Sequence, residues 1–127
     1  MSHGLRVLVV DDCPDTRLSL RLLLRNWGYK VAEAADGPSA LSVAASLVPD
    51  IVLLDIGLPG MDGCEVAKRL RALPGLENTL LIAATGFGRR VDMERCLQAG
   101  CDTHLLKPYA PLVLKQLLDR CLAATMA

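Results

Sequence analysis

Ile51-Val52-Leu53-Leu54-Asp55-Ile56-Gly57-Leu58-Pro59-Gly60-Met61-Asp62-Gly63 is the stretch on which the fold turns. Four consecutive apolar residues suit a strand buried on both faces. A carboxylate ends the run, and a turn rich in Gly and Pro follows it. The period then changes. Val66, Leu70 and Leu73 fall on one face of a helix, with Asp62 placed to cap its start. A strand, a loop and a covering helix in this order form the unit of a parallel α/β sheet.

The same unit recurs on either side. Leu5-Arg6-Val7-Leu8-Val9-Val10 is a second apolar run and ends in Asp11-Asp12, and residues 80–84 are a third, leading into Thr85-Gly86-Phe87-Gly88. Residues 30–34 and 103–107 are shorter on apolar side chains, which suits the sheet edges. Between the strands lie helical patterns. Residues 14–27 carry leucines at 18, 22 and 23 and Trp27 at helical spacing, with Pro14 in the first turn and Gly28 just past the end. Asp12 also stands where it would cap this helix. A second helix opens at Asp36-Gly37-Pro38 and stops before Pro49, a fourth ends at Gly100, and the last carries Leu114, Leu117, Leu118, Cys121 and Leu122 on one stripe. Five strands alternating with five helices predict a doubly wound, five-stranded parallel α/β sheet in the order 2-1-3-4-5.

At 127 residues the chain is expected to form a single domain over 1–127 with its core at about 5–122. Hydrophobic residues at 52% supply that core and exclude disorder. Lys plus Arg and Asp plus Glu each number 14, a balance that argues against nucleic acid or an anionic membrane as partner. Aromatics at 3% disfavour a stacking surface for single strands. No apolar run approaches the ~20 residues of a membrane span. The first residues lack the pattern of a secretory signal, so a cytoplasmic location is expected. Five cysteines without C-x-x-C spacing, and two isolated histidines, His3 and His104, exclude the usual zinc patterns. Most of these thiols read as small apolar packers.

In an open parallel sheet, ligands bind beyond the carboxyl ends of the strands, at the switch in strand order. Asp11 and Asp12 follow the first strand, Asp55 ends the third, Thr85 follows the fourth and Lys107 closes the fifth. The predicted topology brings all five to one sheet edge. Three carboxylates so close would raise one another's pKa values unless a cation intervened. Mg²⁺ suits them, because it takes oxygen ligands and keeps several waters that phosphate oxygens can share. Lys107 adds a compact positive charge for a phosphate, and Thr85 a hydroxyl. A carboxylate aligned with that phosphoryl group is a nucleophile for phosphoryl transfer.

These segments closely resemble the receiver domain of bacterial two-component response regulators: Val9-Val10-Asp11-Asp12, Leu53-Leu54-Asp55, the loop from Leu58 through Gly63, Ala84-Thr85-Gly86 and Leu106-Lys107-Pro108. The stretch around Thr85 and Lys107 looks somewhat like receivers attached to hybrid histidine kinases. The resemblance implies a flavodoxin-like receiver fold and a role in phosphorelay signalling, not conventional enzymatic turnover. Asp55 would accept a phosphoryl group from a phosphohistidine on a histidine kinase or histidine phosphotransfer protein, with Mg²⁺-dependent self-phosphorylation and autodephosphorylation. Asp12, Asp55 and the backbone carbonyl of Gly57 would hold the Mg²⁺, with Asp11 helping through water. Thr85 would be the switch hydroxyl, Lys107 would pair with the phosphate, and the Lys107–Pro108 peptide would be cis. A downstream effector would meet the face of helix 4, strand 5 and helix 5, where Arg89, Arg90, His104 and Tyr109 are the candidate contacts.

The sequence departs from the family in two places. His104 stands where an aromatic residue is common, so any switch there runs through an imidazole or fails, and the plain alternative is a histidine exposed on an edge strand. Gly57 and Phe87 stand where the family often has polar side chains that tune hydrolysis; a glycine there would leave the phosphate open to water, whereas Phe87 would shield it. An aspartyl-nucleophile, Mg²⁺-dependent phosphohydrolase is the chief rival class, but Gly57 fills the place of its second carboxylate. A receiver-like interaction module without phosphorylation is a third reading, opposed by the full acidic, Thr and Lys set. A nucleotide-binding domain lacks its glycine-rich turn after the first strand.

Overall fold

The computed structural model describes residues 4–58, 60–86 and 90–126. Pro59, Phe87 and Arg89, and the side chain of Arg90, lie outside the described residues. The elements alternate without exception: β1 (Arg6–Val10), α1 (Pro14–Asn26), β2 (Lys30–Ala34), α2 (Gly37–Leu47), β3 (Ile51–Asp55), α3 (Gly63–Ala72), β4 (Leu80–Thr85), α4 (Arg90–Gln98), β5 (Thr103–Leu106) and α5 (Pro111–Met126). All four strand pairings are parallel and the order is β2-β1-β3-β4-β5, as the patterning predicts. β1, β3 and β4 lie in the middle because their residues are apolar on both faces.

Alternation along each central strand builds two cores. Leu8, Val52, Leu54 and Leu81 point to the side packed by α2, α3 and α4, where they meet Ala40, Ala44, Val66 and Leu70. Val7, Val9, Leu53 and Ile82 point the other way, onto Leu20 and Leu24 of α1 and Leu114, Leu117 and Leu118 of α5.

The buried stripe of α1 differs from the expected one. Leu20 and Leu24 are buried, whereas Leu18 and Leu22 are exposed. Leucines at five positions wrap most of this helix, so spacing alone did not select a face. The charged residues did. Arg17 and Arg21 both reach Glu33 on β2, at 3.5 and 2.8 Å, and their half-buried stems orient the helix. Asp12 does not cap α1 either; its N-cap is Cys13, which makes no side-chain cap bond.

At the far end of the sheet from the acidic residues, Arg71 closes two loops at once. Its guanidinium donates to the carbonyls of Leu76, Glu77, Thr79 and Gly100, and to Asp102 Oδ2 at 3.1 Å. A lysine keeps the charge but not the planar fork, so it cannot reach both loops. Arg71→Lys is expected to cost about 1–2 kcal/mol, seen as a lower urea midpoint at unchanged slope. An unchanged midpoint would remove Arg71 as the clasp.

Candidate functional site

The strands deliver the acidic residues where pairing runs out. The Asp11 N–H still donates to Ala34 O at 3.1 Å, so β1 is held to its last residue and the Asp11 and Asp12 side chains open beyond it. Asp55 is the last residue of β3, paired in register with Ala84. Asp11 and Asp55 are 4% and 8% exposed, while Asp12 faces solvent. One oxygen from each of the three carboxylates lies within 4.8 Å of the others. Among the described residues, no other three metal-ligating side chains converge in this way.

Each buried carboxylate is held on both oxygens. Asp11 Oδ1 accepts the Cys13 N–H at 2.9 Å and Asp55 Oδ1 accepts the Gly57 N–H at 2.9 Å. Their Oδ2 atoms share Lys107 Nζ, at 3.2 and 3.3 Å. Burial works against the Lys107 charge, but Asp55 and Asp11 outweigh it and hold the pKa above the ordinary lysine value. The lysine is carried there by the end of β5: its N–H donates to Thr85 O at 2.8 Å, and the Lys107–Pro108 peptide is cis. Thr85 is buried at the end of β4, beside the cluster.

Among the described residues, one ammonium faces three carboxylates, two of them buried. That charge deficit and the all-oxygen donor set fit a hard divalent cation, with the exposed Asp12 as its open side. A Cβ at position 57 would meet only Asp55 Oδ1, at 3.5 Å, so Gly57 leaves the cluster uncovered there.

The remaining expected residues sit around this centre. His104 is half-buried, not exposed, on the edge strand β5, in register with Ala83. Tyr109 is half-buried beside Lys107; burial pushes its phenol pKa up, and Lys107 offsets this in part. Arg90 opens α4.

Two further residues shape the site. Arg17 Nη1 donates to Asp11 O at 2.7 Å, bracing the acidic turn from α1. Gly63 lets the start of α3 lie against the backbone of Ile56, the residue after Asp55. Asp62 caps that helix, as expected from sequence, accepting the Cys64 N–H at 3.0 Å; this bond, with Arg95 beside it, holds the carboxyl below the ordinary range. The Asp-Gly pair before an apolar helix was the available signal for Gly63, but its closeness to Ile56 was not in it.

Comparison with known proteins gives a consistent result. The family model for the response regulator receiver domain matches residues 7–119. The DNA-binding response regulator MtrA of Mycolicibacterium smegmatis is 41% identical over 115 residues, 91% of this chain, and the chain spans 48% of that protein. Sporulation initiation phosphotransferase F of Bacillus subtilis is 36% identical, with 82% of each chain covered. Among solved structures, the receiver domain of a sensor histidine kinase from Pseudomonas aeruginosa PAO1, with magnesium coordinated in its active site cleft, is 34% identical. It superposes with a TM-score of 0.83 over 92% of this chain and 96% of its own.

Proposed function

The chain belongs to the response regulator receiver domain family, and on that premise we propose that Asp55 is its phosphoacceptor. Receiver domains are signalling modules, not classical enzymes; they bind Mg²⁺ and act with histidine kinases or phosphotransfer proteins. The reading takes 1–127 as one such domain. The observation that carries it is the convergence of Asp11, Asp12 and Asp55 with Lys107 at the switch in strand order.

Asp55 attacks the phosphorus of a phosphohistidine, a P–O bond forms as the P–N bond breaks, and the imidazole, already protonated on its other ring nitrogen, leaves as the neutral ring. The Gly57 N–H holds the Asp55 carboxylate in one plane, which limits the approach to its free lone pairs. Asp12, Asp55 and the Gly57 carbonyl, with Asp11 helping, are the residues that would hold Mg²⁺. When bound, the ion supplies positive charge to the phosphoryl oxygens. Lys107 exchanges Asp55 for the phosphate, and the Thr85 hydroxyl donates to it, shifting a pre-existing equilibrium at the face of α4, β5 and α5. Leu97, Leu106 and Val113, one from each element, are exposed there and support an effector surface that also takes in His104 and Tyr109.

The test is intact mass after incubation with Mg²⁺ and a small acyl phosphate. One phosphoryl adduct that a chelator prevents is expected. Absence of both an adduct and a beryllium fluoride complex would overturn the reading.

A further inference from the structure

Two thiols from different helices meet beneath the seam between α3 and α4. Cys64 Sγ and Cys96 Sγ are 3.8 Å apart, with neither in a disulfide. They differ in access. Cys96 is 1% exposed, whereas Cys64, the second residue of α3, is 6% exposed and lines an open groove of about 470 Å³. Asp62, Glu65, Lys68, Arg95 and Gln98 line the same groove, so it is polar and open enough to admit a small polar oxidant. At its mouth Arg95 Nη2 holds Asp62 Oδ2 at 2.6 Å, which keeps α4 against the start of α3.

We propose that Cys64 and Cys96 are a modification site, closed to an intrachain disulfide by a peroxide. The Cys64 sulfur attacks one peroxide oxygen. An S–O bond forms, the O–O bond breaks, and hydroxide leaves with the thiol proton as water. The Cys96 sulfur then attacks the resulting sulfenic sulfur. An S–S bond forms, the S–O bond breaks, and the second hydroxide leaves with the Cys96 proton. Two thiols are oxidised and one hydrogen peroxide is reduced to two waters. The order of events follows from access, and burial supports it by pushing the Cys96 thiol up to about 12, which suits the sulfur that reacts second.

Closing the pair needs the sulfurs to approach from 3.8 Å to about 2.05 Å, within reach of side-chain rotation and a small helix shift. The bond joins α3, which follows the loop after Asp55, to α4, which follows the loop after Thr85. It therefore ties the first turn of α3 to the last turns of α4.

The experiment treats the folded, fully reduced chain with hydrogen peroxide at low protein concentration. Remaining thiols are then alkylated and peptides mapped without reductant. Expected is one dominant intrachain link, Cys64 to Cys96, with Cys101 recovered alkylated, whatever happens at the exposed Cys13. The link disappears in Cys64→Ala and in Cys96→Ala, and loses its dominance when the wild-type chain is oxidised in urea. A dominant link through Cys101 would overturn the proposal. So would recovery of Cys64 as sulfinic acid with Cys96 still a thiol, of all three core thiols unreacted, or the same selectivity in urea. The wild-type map decides these outcomes even if an alanine variant folds poorly.

Discussion

Asp55→Asn is expected to abolish the phosphoryl adduct and, in the presence of a chelator, to make the protein more stable. The amide keeps the size of the carboxylate and its Oδ1 can still accept the Gly57 N–H, bonded at 2.9 Å in the native chain. What it loses is the anionic nucleophile, so loss of the adduct is complete and owes nothing to misfolding. The stability change follows from charge. Without a divalent cation, two buried carboxylates compete for the single Lys107 ammonium, at 3.2 and 3.3 Å, with Asp12 alongside. Neutralising one leaves Lys107 to Asp11 alone and removes the repulsion, a gain of about 1 kcal/mol. Mg²⁺ is expected to reverse the comparison: under the proposed function it binds the folded wild type and so adds stability that the variant largely forgoes. Thermal melts of both proteins with Mg²⁺ and with chelator measure the crossing. A variant less stable than wild type in chelator, or an adduct that survives the substitution, would show that the charge deficit is not centred on Asp55.

Gly63→Ala carries the second large effect. A Cβ at position 63 would stand 2.5 Å from Ile56 Cα and 2.8 Å from Ile56 O, which are backbone atoms with no rotamer to change. Ile56 cannot retreat, since its N–H donates to Ala84 O at 3.0 Å. The start of α3 cannot retreat either, being capped by Asp62 and anchored by the buried Val66 and Leu70. Overpacking of this kind costs about 3 kcal/mol, or roughly 10 °C in Tm. The displaced Ile56 carries Gly57 with it and so disturbs the bond that orients Asp55. Phosphorylation of the folded variant should slow by about 10²-fold, as misplacements near 1 Å do. Gly86→Ala is the control for the steric cost, because a Cβ there meets nothing within 4 Å. If Gly63→Ala melts where Gly86→Ala does, the close approach is not a constraint.

Both effects centre on one loop, yet they differ in how far they could be read in advance. Asp55 stands out in the chain because central strands are uninterrupted apolar runs, and a carboxylate that stops such a run marks a strand end. The same logic located Asp11, Thr85 and Lys107 and, through the alternation of elements, the strand order. Gly63 was visible only as one more turn residue. Its demand comes from Ile56, seven residues earlier, and depends on the angle at which α3 returns across the sheet. The face of α1 was illegible for another reason. Leucines surround that helix, so hydrophobicity does not choose a side, and Glu33 on a strand beyond the helix settles it through Arg17 and Arg21.

What the chain determined by itself is therefore periodic or terminal: which segments are strands, which lie centrally, and which polar residues end them. Period and position along a segment are local properties, dictated by backbone geometry and by the need to bury apolar surface. Tertiary structure alone decided which carboxylate oxygens share Lys107, that Gly63 touches Ile56, and that Cys64 and Cys96, 32 residues apart, lie sulfur to sulfur. Those facts rest on distances between elements set by packing two helical layers onto a twisted sheet, and no local pattern encodes a distance of that kind.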